Sequence, residues 1–331
     1  MAKIKENKFF IAGFVIYGVI AFIVWFLGSR LESIEHLSDK GASWYYWQLP
    51  EPGLISRISA WTGYTLHQLS IWVLAFFAIK ADQKEKKEKV VKWIFISNIF
   101  FVILHLIQTH LFYDGLAQDV PIWSSQYSVI IMLIILLFML EGRRGLFFGK
   151  KIGIKDKLRK PVRKWHGIYI SWALVYTFWF HPMEGSYGLL AGFIYMFLLF
   201  IQTSMVGKPI HTSTTWVALL ETFVALHAFA IATYKGQEIW PMFVTGFLFM
   251  AVMTYQYGIK LPSWVYKLNW IVYIALVAVL YYQRGYSKLY EVSFIPVALY
   301  GGALGLWFLM FILSKIFPSA FDNINDRGER I

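Results

Sequence analysis

The sequence contains no cysteine among its 331 residues. Disulfides, thiolate-bound metals and redox-active thiols are therefore excluded as the basis of any activity. Charged residues are also scarce, at 15% of the chain, whereas an average soluble domain has about 25%. A water-soluble domain of this length would need more polar surface, so the class of soluble globular proteins is excluded as well.

Several catalytic signatures are missing. The chain has no His-Glu-x-x-His, no glycine-rich phosphate loop, no paired aspartate-rich prenyl transferase motif and no Gly-x-Ser-x-Gly elbow. No lysine lies in the middle of an apolar segment, where it could hold retinal as a Schiff base. The sequence thus gives no support to metalloprotease, nucleotide-hydrolysing, prenyl-transferring, serine-hydrolase or retinal-binding chemistry.

Apolar residues are abundant instead, at 58% of the chain. They form runs of about twenty residues, enough for a helix to cross roughly 30 Å of hydrocarbon. Continuous apolar runs satisfy their backbone in lipid only as helices. We therefore predict an all-α, polytopic membrane helix bundle with about ten transmembrane spans, near residues 9–28, 60–79, 93–112, 123–140, 165–181, 187–206, 214–233, 241–257, 268–282 and 292–313.

The distribution of basic residues predicts the orientation. With these spans, one side of the membrane holds 25 of the 31 Lys and Arg residues and the other side holds six. Loops rich in Lys and Arg remain in the cytoplasm, so both termini are predicted to be cytoplasmic, in the cell (inner) membrane. The net charge of +12 then reflects topology, and nucleic acid is not an expected partner.

The predicted spans divide the chain into three parts. Residues 1–59 hold the first span and an external interfacial segment with a short helix near Leu31, Ile34 and Leu37; residues 60–206 form a central bundle; and residues 207–331 add four spans and a short tail. Segment 141–164 carries ten basic residues. These charges either only set the topology or bind anionic membrane lipid or an acidic partner protein.

Polar residues inside the spans carry most of the functional information, because each is costly in lipid without a partner or a role. Glu221 is the one acidic residue that falls within a predicted span. Seven histidines lie within, at the edge of, or just before the spans: His67, His105, His110, His166, His181, His211 and His227.

The third and fifth spans run parallel, so His105 or His110 can meet His181 at a similar depth. Two neutral imidazoles from different helices are what bis-histidine ligation of haem requires. His166 lies near the opposite membrane surface, where His211 can supply a second ligand, and His67 is an alternative outer ligand. One haem b, or two, is thus one interpretation. The other is that these histidines form interhelical hydrogen bonds.

Residues from about 60 to 206 resemble the ferric-reductase-like transmembrane domain family, particularly the haem-binding membrane subunit of the periplasmic methionine sulfoxide reductase system. The resemblance lies in Trp61-Thr-Gly-Tyr-Thr-Leu66, Val102-Ile-Leu-His-Leu106 and Lys164-Trp-His-Gly-Ile-Tyr169, followed by His181. It implies that His105, His166 and His181 bind haem iron. It also implies electron transfer from a cytoplasmic flavoprotein reductase or quinol to an external redox partner.

Glu221 and His227 lie on the predicted seventh span. Glu221 is interpreted as a proton-relay group, an acid of a quinone site or a hydrogen-bond anchor between helices. Three functions follow from these residues: a b-type cytochrome; a proton- or ion-coupled transporter or channel that uses Glu221, His227 and His67; and a non-catalytic subunit of a larger membrane complex.

Overall fold

The computed structural model describes residues 8–38, 47–81, 83–234, 238 and 240–322. Within these residues the chain is helical and forms no β-strand. Both termini lie outside the described residues, so their predicted cytoplasmic location stays a prediction. The predicted all-α class is confirmed.

Eleven α-helices account for most of the described chain. They are α1 (Lys8–Leu27), α2 (Leu54–Lys80), α3 (Lys84–Phe112), α4 (Ile122–Arg144), α5 (Asp156–Phe180), α6 (Tyr187–Thr203), α7 (Thr214–Tyr234), α8 (Trp240–Met253), α9 (Ser263–Arg284), α10 (Glu291–Ile316) and the short α11 (Pro318–Asp322). Each of the ten predicted spans coincides with one of the first ten helices.

Seven helices in the described residues are long and apolar enough to cross a membrane, as in a multi-pass membrane protein. Helices α5, α6 and α8 are not among them. Helix α5 begins with the charged sequence Asp156-Lys-Leu-Arg-Lys, while α6 has 17 residues and α8 only 14. At 1.5 Å per residue α8 is about 21 Å long, less than the roughly 30 Å of a bilayer core. A count of ten crossings stays a prediction.

Many large apolar side chains point outward from the helices. On α9, Ile271, Val272, Ile274 and Val279 are all exposed, Ile271 to 64%. A soluble protein rarely exposes contiguous apolar surface on this scale. This surface is the kind that hydrocarbon covers, which agrees with the membrane class.

The external segment differs from its prediction. A 3-10 turn covers Gly28–Leu31, but residues 34–38 are not helical. The backbone N–H of Leu37 donates to the carbonyl of Gln48 at 2.9 Å, so these two residues lie side by side. The short interfacial helix predicted near Leu31, Ile34 and Leu37 is therefore wrong for these residues, and 39–46 lie outside the described part.

The chain folds into two compact units that alternate along the sequence. The first comprises residues 1–129 and 167–211, and the second comprises 130–166 and 212–331. In the first unit α2 packs along α3, and α1 packs against α6. In the second unit α8 packs against α7, α9 and α10. The division into 1–59, 60–206 and 207–331 stays a prediction.

Gly63 allows a close approach between α2 and α5 in the first unit. A Cβ atom placed on Gly63 would collide with the ring of Trp179. Trp179 is fully buried, so its ring cannot swing into free space. A hydrogen atom is the side chain that fits at this position.

We predict that Gly63→Ala lowers the thermal midpoint of the detergent-purified protein. The added methyl group must displace a buried indole ring, and overpacking of this kind costs about 1–3 kcal/mol. The matched control is Gly18→Ala on α1, where a Cβ would meet no described atom within 4 Å. Equal midpoints for the two variants would contradict the proposed close contact.

Candidate functional site

His67 lies on α2 in the interior of the first unit and is fully buried. The indole Nε1–H of Trp179 donates to its Nδ1 at 3.2 Å. Its Nε2 lies 3.1 Å from Oδ1 of Asn98, to which it donates. Its ring also stacks on Phe101 with 4.5 Å between the ring centroids. One nitrogen accepts and the other donates, so His67 is a neutral imidazole with both nitrogens occupied.

His105 lies on α3 and is also fully buried. Its Nε2 is 2.8 Å from the backbone carbonyl of His181, and its Nδ1 is 3.1 Å from the side-chain amide of Gln108. The ring centroid of Trp179 is only 4.3 Å from that of His105. The predicted approach of residues 105 and 181 is therefore present, but it joins an imidazole to a peptide carbonyl.

The other predicted haem ligands are distributed elsewhere. The ring of His181 contacts Trp47 and Phe180. In the first unit, Nδ1 of His211 lies 3.0 Å from the carbonyl of Gln202, and Nε2 of His110 is buried with no hydrogen-bond partner among the described residues. His166 belongs to the second unit, where its Nδ1 bonds to the carbonyl of Arg163.

Haem between two of these helices requires two imidazole nitrogens that face each other across a flat macrocycle. At His105 both nitrogens face protein oxygens, and the ring packs directly against Trp179. His105 as packed therefore has no open face for a haem iron, and the predicted ligand set stays a prediction.

Asp114 is a buried acid beyond the end of α3 that the sequence analysis did not single out. Its Oδ1 accepts a hydrogen bond from the backbone N–H of Gly115 at 2.7 Å, and the Ser56 hydroxyl also lies close enough to interact with the carboxylate. Burial raises the pKa of Asp114 to about 6, although the bond from Gly115 opposes that shift. The group thus titrates closer to neutrality than an ordinary aspartate does.

A second polar site lies in the second unit and is built on a buried ion pair. Arg144, the last residue of α4, bonds through Nη1 to Oε2 of Glu221 on α7. The side chains are 3% and 4% exposed. The face of the Arg144 guanidinium packs over the ring of Tyr255, 4.9 Å from its centroid. Glu221 is therefore paired with an arginine that the sequence analysis placed in a basic loop.

The backbone around this ion pair is not regular helix. Helix α8 ends at Met253, and a 3-10 turn follows at Tyr255–Gly258. The Thr254 hydroxyl donates to the carbonyl of Leu146 at 2.6 Å, and the backbone N–H of Phe148 donates to the carbonyl of Met253 at 3.0 Å. The non-helical segment after α4 therefore packs against the point where α8 stops.

Gly145 makes the turn after α4 possible. Its φ of +75° is in the left-handed region that glycine adopts at helix C-termini.

Nearby, Glu141 accepts hydrogen bonds from Nη1 of Arg159 at 2.6 Å and from the backbone N–H of Ile152 at 2.7 Å. Both carboxylate oxygens of Glu141 thus have partners and hold the chain that follows α4 in place.

A small, partly open pocket adjoins the ion pair. Its lining comes from the end of α4, the start of α7 and the turn after α8: Leu140, Arg143, Arg144, Thr214, Val217, Ala218, Glu221 and Gly258. Among the described residues, Nε and Nη2 of Arg144 and Nη1 of Arg143 are buried without a hydrogen-bond partner. His227, also on α7, is not part of the lining. The pocket is therefore a concave site with surplus hydrogen-bond donors.

Comparison with models of protein families, with curated proteins and with solved structures finds no match for this chain. The resemblance to the ferric-reductase-like domain thus stays a prediction, and the argument for function depends on the geometry of the two sites.

The packing around His105 predicts that the protein purified from haem-replete cells shows no haem absorption. The measurement is the difference between the oxidised and dithionite-reduced visible spectra. A b-type spectrum that disappears in His105→Ala and persists in the exposed control Leu66→Ala would overturn this expectation. That result would favour the electron-transfer function implied by the family resemblance.

Proposed function

We propose that this chain is an ion-coupled transporter whose working site is the Arg144–Glu221 pair in the second unit. In this proposal the chain crosses the cell membrane ten times, with both termini in the cytoplasm. The observation that supports it is a buried ion pair beside a helix that stops short, within a bundle of helices suited to lipid.

Burial makes this ion pair energetically costly. Removing two charges from water costs several kcal/mol per ion, and the attraction between the ions often only balances that cost. Apolar residues of similar volume would serve stability as well or better. Arg144 and Glu221, each with about 3–4% of its side chain exposed, are therefore expensive as a purely structural contact, and charged groups within membrane helices generally mark ion or substrate pathways.

The backbone beside the ion pair is non-helical. In the hydrocarbon region, non-helical backbone is tolerated only where protein buries it or where it lines a cavity. Helix α8 has 14 residues and gives way to the turn at Tyr255–Gly258, and Gly258 lines the pocket. The non-helical backbone after α8 thus lines a cavity beside a charged residue, which is compatible with a site that a transported ion can reach.

The pair also offers a means of coupling. When Glu221 is ionised, its negative charge balances the positive charge of the Arg144 guanidinium. A proton that binds to Glu221 removes this negative charge, so Arg144 becomes free to attract an anion or to move. Proton binding and anion binding at the pocket then favour each other, which is the reciprocal coupling that a symporter needs.

The depth of Glu221 is suitable for this role. It lies seven residues from the start of α7 at Thr214, about 10 Å along the helix axis. Under the proposed topology the pocket opens toward the cytoplasm. A proton from the external side would then need a further path, for which His227 on the same helix is the candidate.

Proton flux into proteoliposomes tests this function. The liposomes enclose a pH-sensitive dye, a potassium gradient with valinomycin sets the potential, and phosphate is present outside. We expect the protein to accelerate proton entry, and Glu221→Gln, which keeps the shape but cannot ionise, to reduce the rate by about tenfold or more because coupling is lost.

The matched control is Glu291→Gln. Glu291 is also buried and paired with an arginine of the second unit, Arg284, but it does not line the pocket. Flux that Glu221→Gln leaves unchanged, or that Glu291→Gln reduces equally, would contradict the proposed role. A protein that carries no flux at all would favour the non-catalytic subunit.

A further inference from the structure

We infer that the pocket beside Glu221 binds an oxyanion, a phosphate or carboxylate group, through Arg144 and Arg143. The inference deepens the proposed transport function and relies on it for the idea that the bound group is carried across the membrane. The binding itself depends only on the residues of the pocket and can be measured separately.

The guanidinium of Arg144 has one edge left for a ligand. Its Nη1 bonds to Glu221, and its face covers the ring of Tyr255. Its Nε and Nη2 are buried and have no acceptor among the described residues. These two nitrogens point their hydrogens in the same direction and form the fork that binds both oxygens of a carboxylate or phosphate. A buried fork without an acceptor costs free energy that a bound oxyanion would recover.

Arg284 shows what the same edge does when its acceptor is present. In the second unit, Nε of Arg284 donates to Oε2 of Glu291 at 2.8 Å, and Nη2 donates to Oε1 at 2.8 Å. One carboxylate thus fills the whole fork. Arg144 has its carboxylate at Nη1 instead, and the equivalent fork is open beside the pocket. A carboxylate or phosphate oxygen pair is therefore the complementary ligand.

Arg143 and α7 provide further positive potential in the pocket. Nη1 of Arg143 is a third buried donor without an acceptor among the residues described. Thr214, the first residue of α7, also lines the pocket, and a helix N-terminus attracts anions through its free N–H groups and its dipole. With Glu221 as the acid in the lining, the site holds two positive charges and one negative charge.

The chemistry of these groups selects the class of ligand. Guanidinium donors repel cations and gain little from neutral apolar molecules, whereas a planar fork matches an oxyanion better than it matches a spherical halide. The oxyanion can belong to a free anion or to the head group of an anionic lipid, which would also account for the basic residues of segment 141–164.

Thermal unfolding of the full-length protein in detergent tests this inference. Potassium phosphate is titrated at constant ionic strength, with potassium chloride as the balancing salt. A ligand that binds the folded state raises the thermal midpoint in a saturable way. We expect such a rise for the natural sequence, and Arg144→Lys should weaken the apparent affinity by about tenfold or more, because it keeps the charge but loses the fork.

The matched control is Arg284→Lys, whose fork already holds Glu291. It is expected to lower the starting midpoint and leave the phosphate response unchanged. Should Arg144→Lys fail to fold, the half-buried Arg143→Gln is the second test, because Nη1 of Arg143 has no hydrogen-bond partner among the described residues. It too should weaken the phosphate response.

A second set of measurements places the protein in nanodiscs of phosphatidylcholine with or without phosphatidylglycerol. Stabilisation by phosphatidylglycerol but not by phosphate, lost in Arg144→Lys or Arg143→Gln, would support the inference with a lipid head group as the source of the oxyanion. Equal responses in the natural sequence and in the variants, or no response to either source, would overturn it. Proton flux that depends on Glu221, without any response to phosphate or phosphatidylglycerol, would contradict oxyanion binding and leave the transport proposal standing. Oxyanion binding without proton flux would contradict the transport proposal and leave the binding site standing.

Discussion

The cost of holding a charge in a medium of low dielectric constant governs the second unit of this protein. Arg144 and Glu221 meet this constraint by pairing with each other, and Tyr255 covers the guanidinium face. The chain turns close to the pair, at Gly145 after α4 and at Thr254 after α8. A pair of this kind contributes little net stability, so the arrangement makes most sense as a site in which one charge responds when the other changes.

The first unit, in contrast, buries histidines that contact neighbouring protein groups. Both ring nitrogens of His67 and of His105 face protein groups, and Trp179 contacts both imidazoles. Hydrogen bonds of this kind hold membrane helices together, at about 0.6 kcal/mol each on average. The close contact at Gly63 lets the indole reach His67. His67 joins α2 to α3 and α5 through Asn98 and Trp179, and His105 joins α3 to the residue that follows α5. Contacts of this kind between helices are the alternative to haem ligation that the sequence also allows.

The helices could be predicted from the sequence because the length of an apolar run is a local property, and all ten predicted spans contain a helix. The partners of the polar residues could not, because they depend on which helix faces meet. His105 was expected to face an imidazole and faces a carbonyl instead. Arg143 and Arg144 were grouped with the basic residues of segment 141–164, yet α4 continues through them and carries Arg144 into the interior. A continuous helical register from the apolar run to Arg144 was the signal that would have found this site.

The double variant Arg144→Met/Glu221→Met tests most directly whether the pair exists for function or for stability. Two unbranched apolar side chains replace the two charges, so no uncompensated charge remains. The present account predicts a folded protein with a thermal midpoint at least equal to that of the natural sequence, and no acceleration of proton flux in proteoliposomes. A double variant that carries protons at the original rate would contradict the account, and so would one that unfolds while the natural sequence shows no flux.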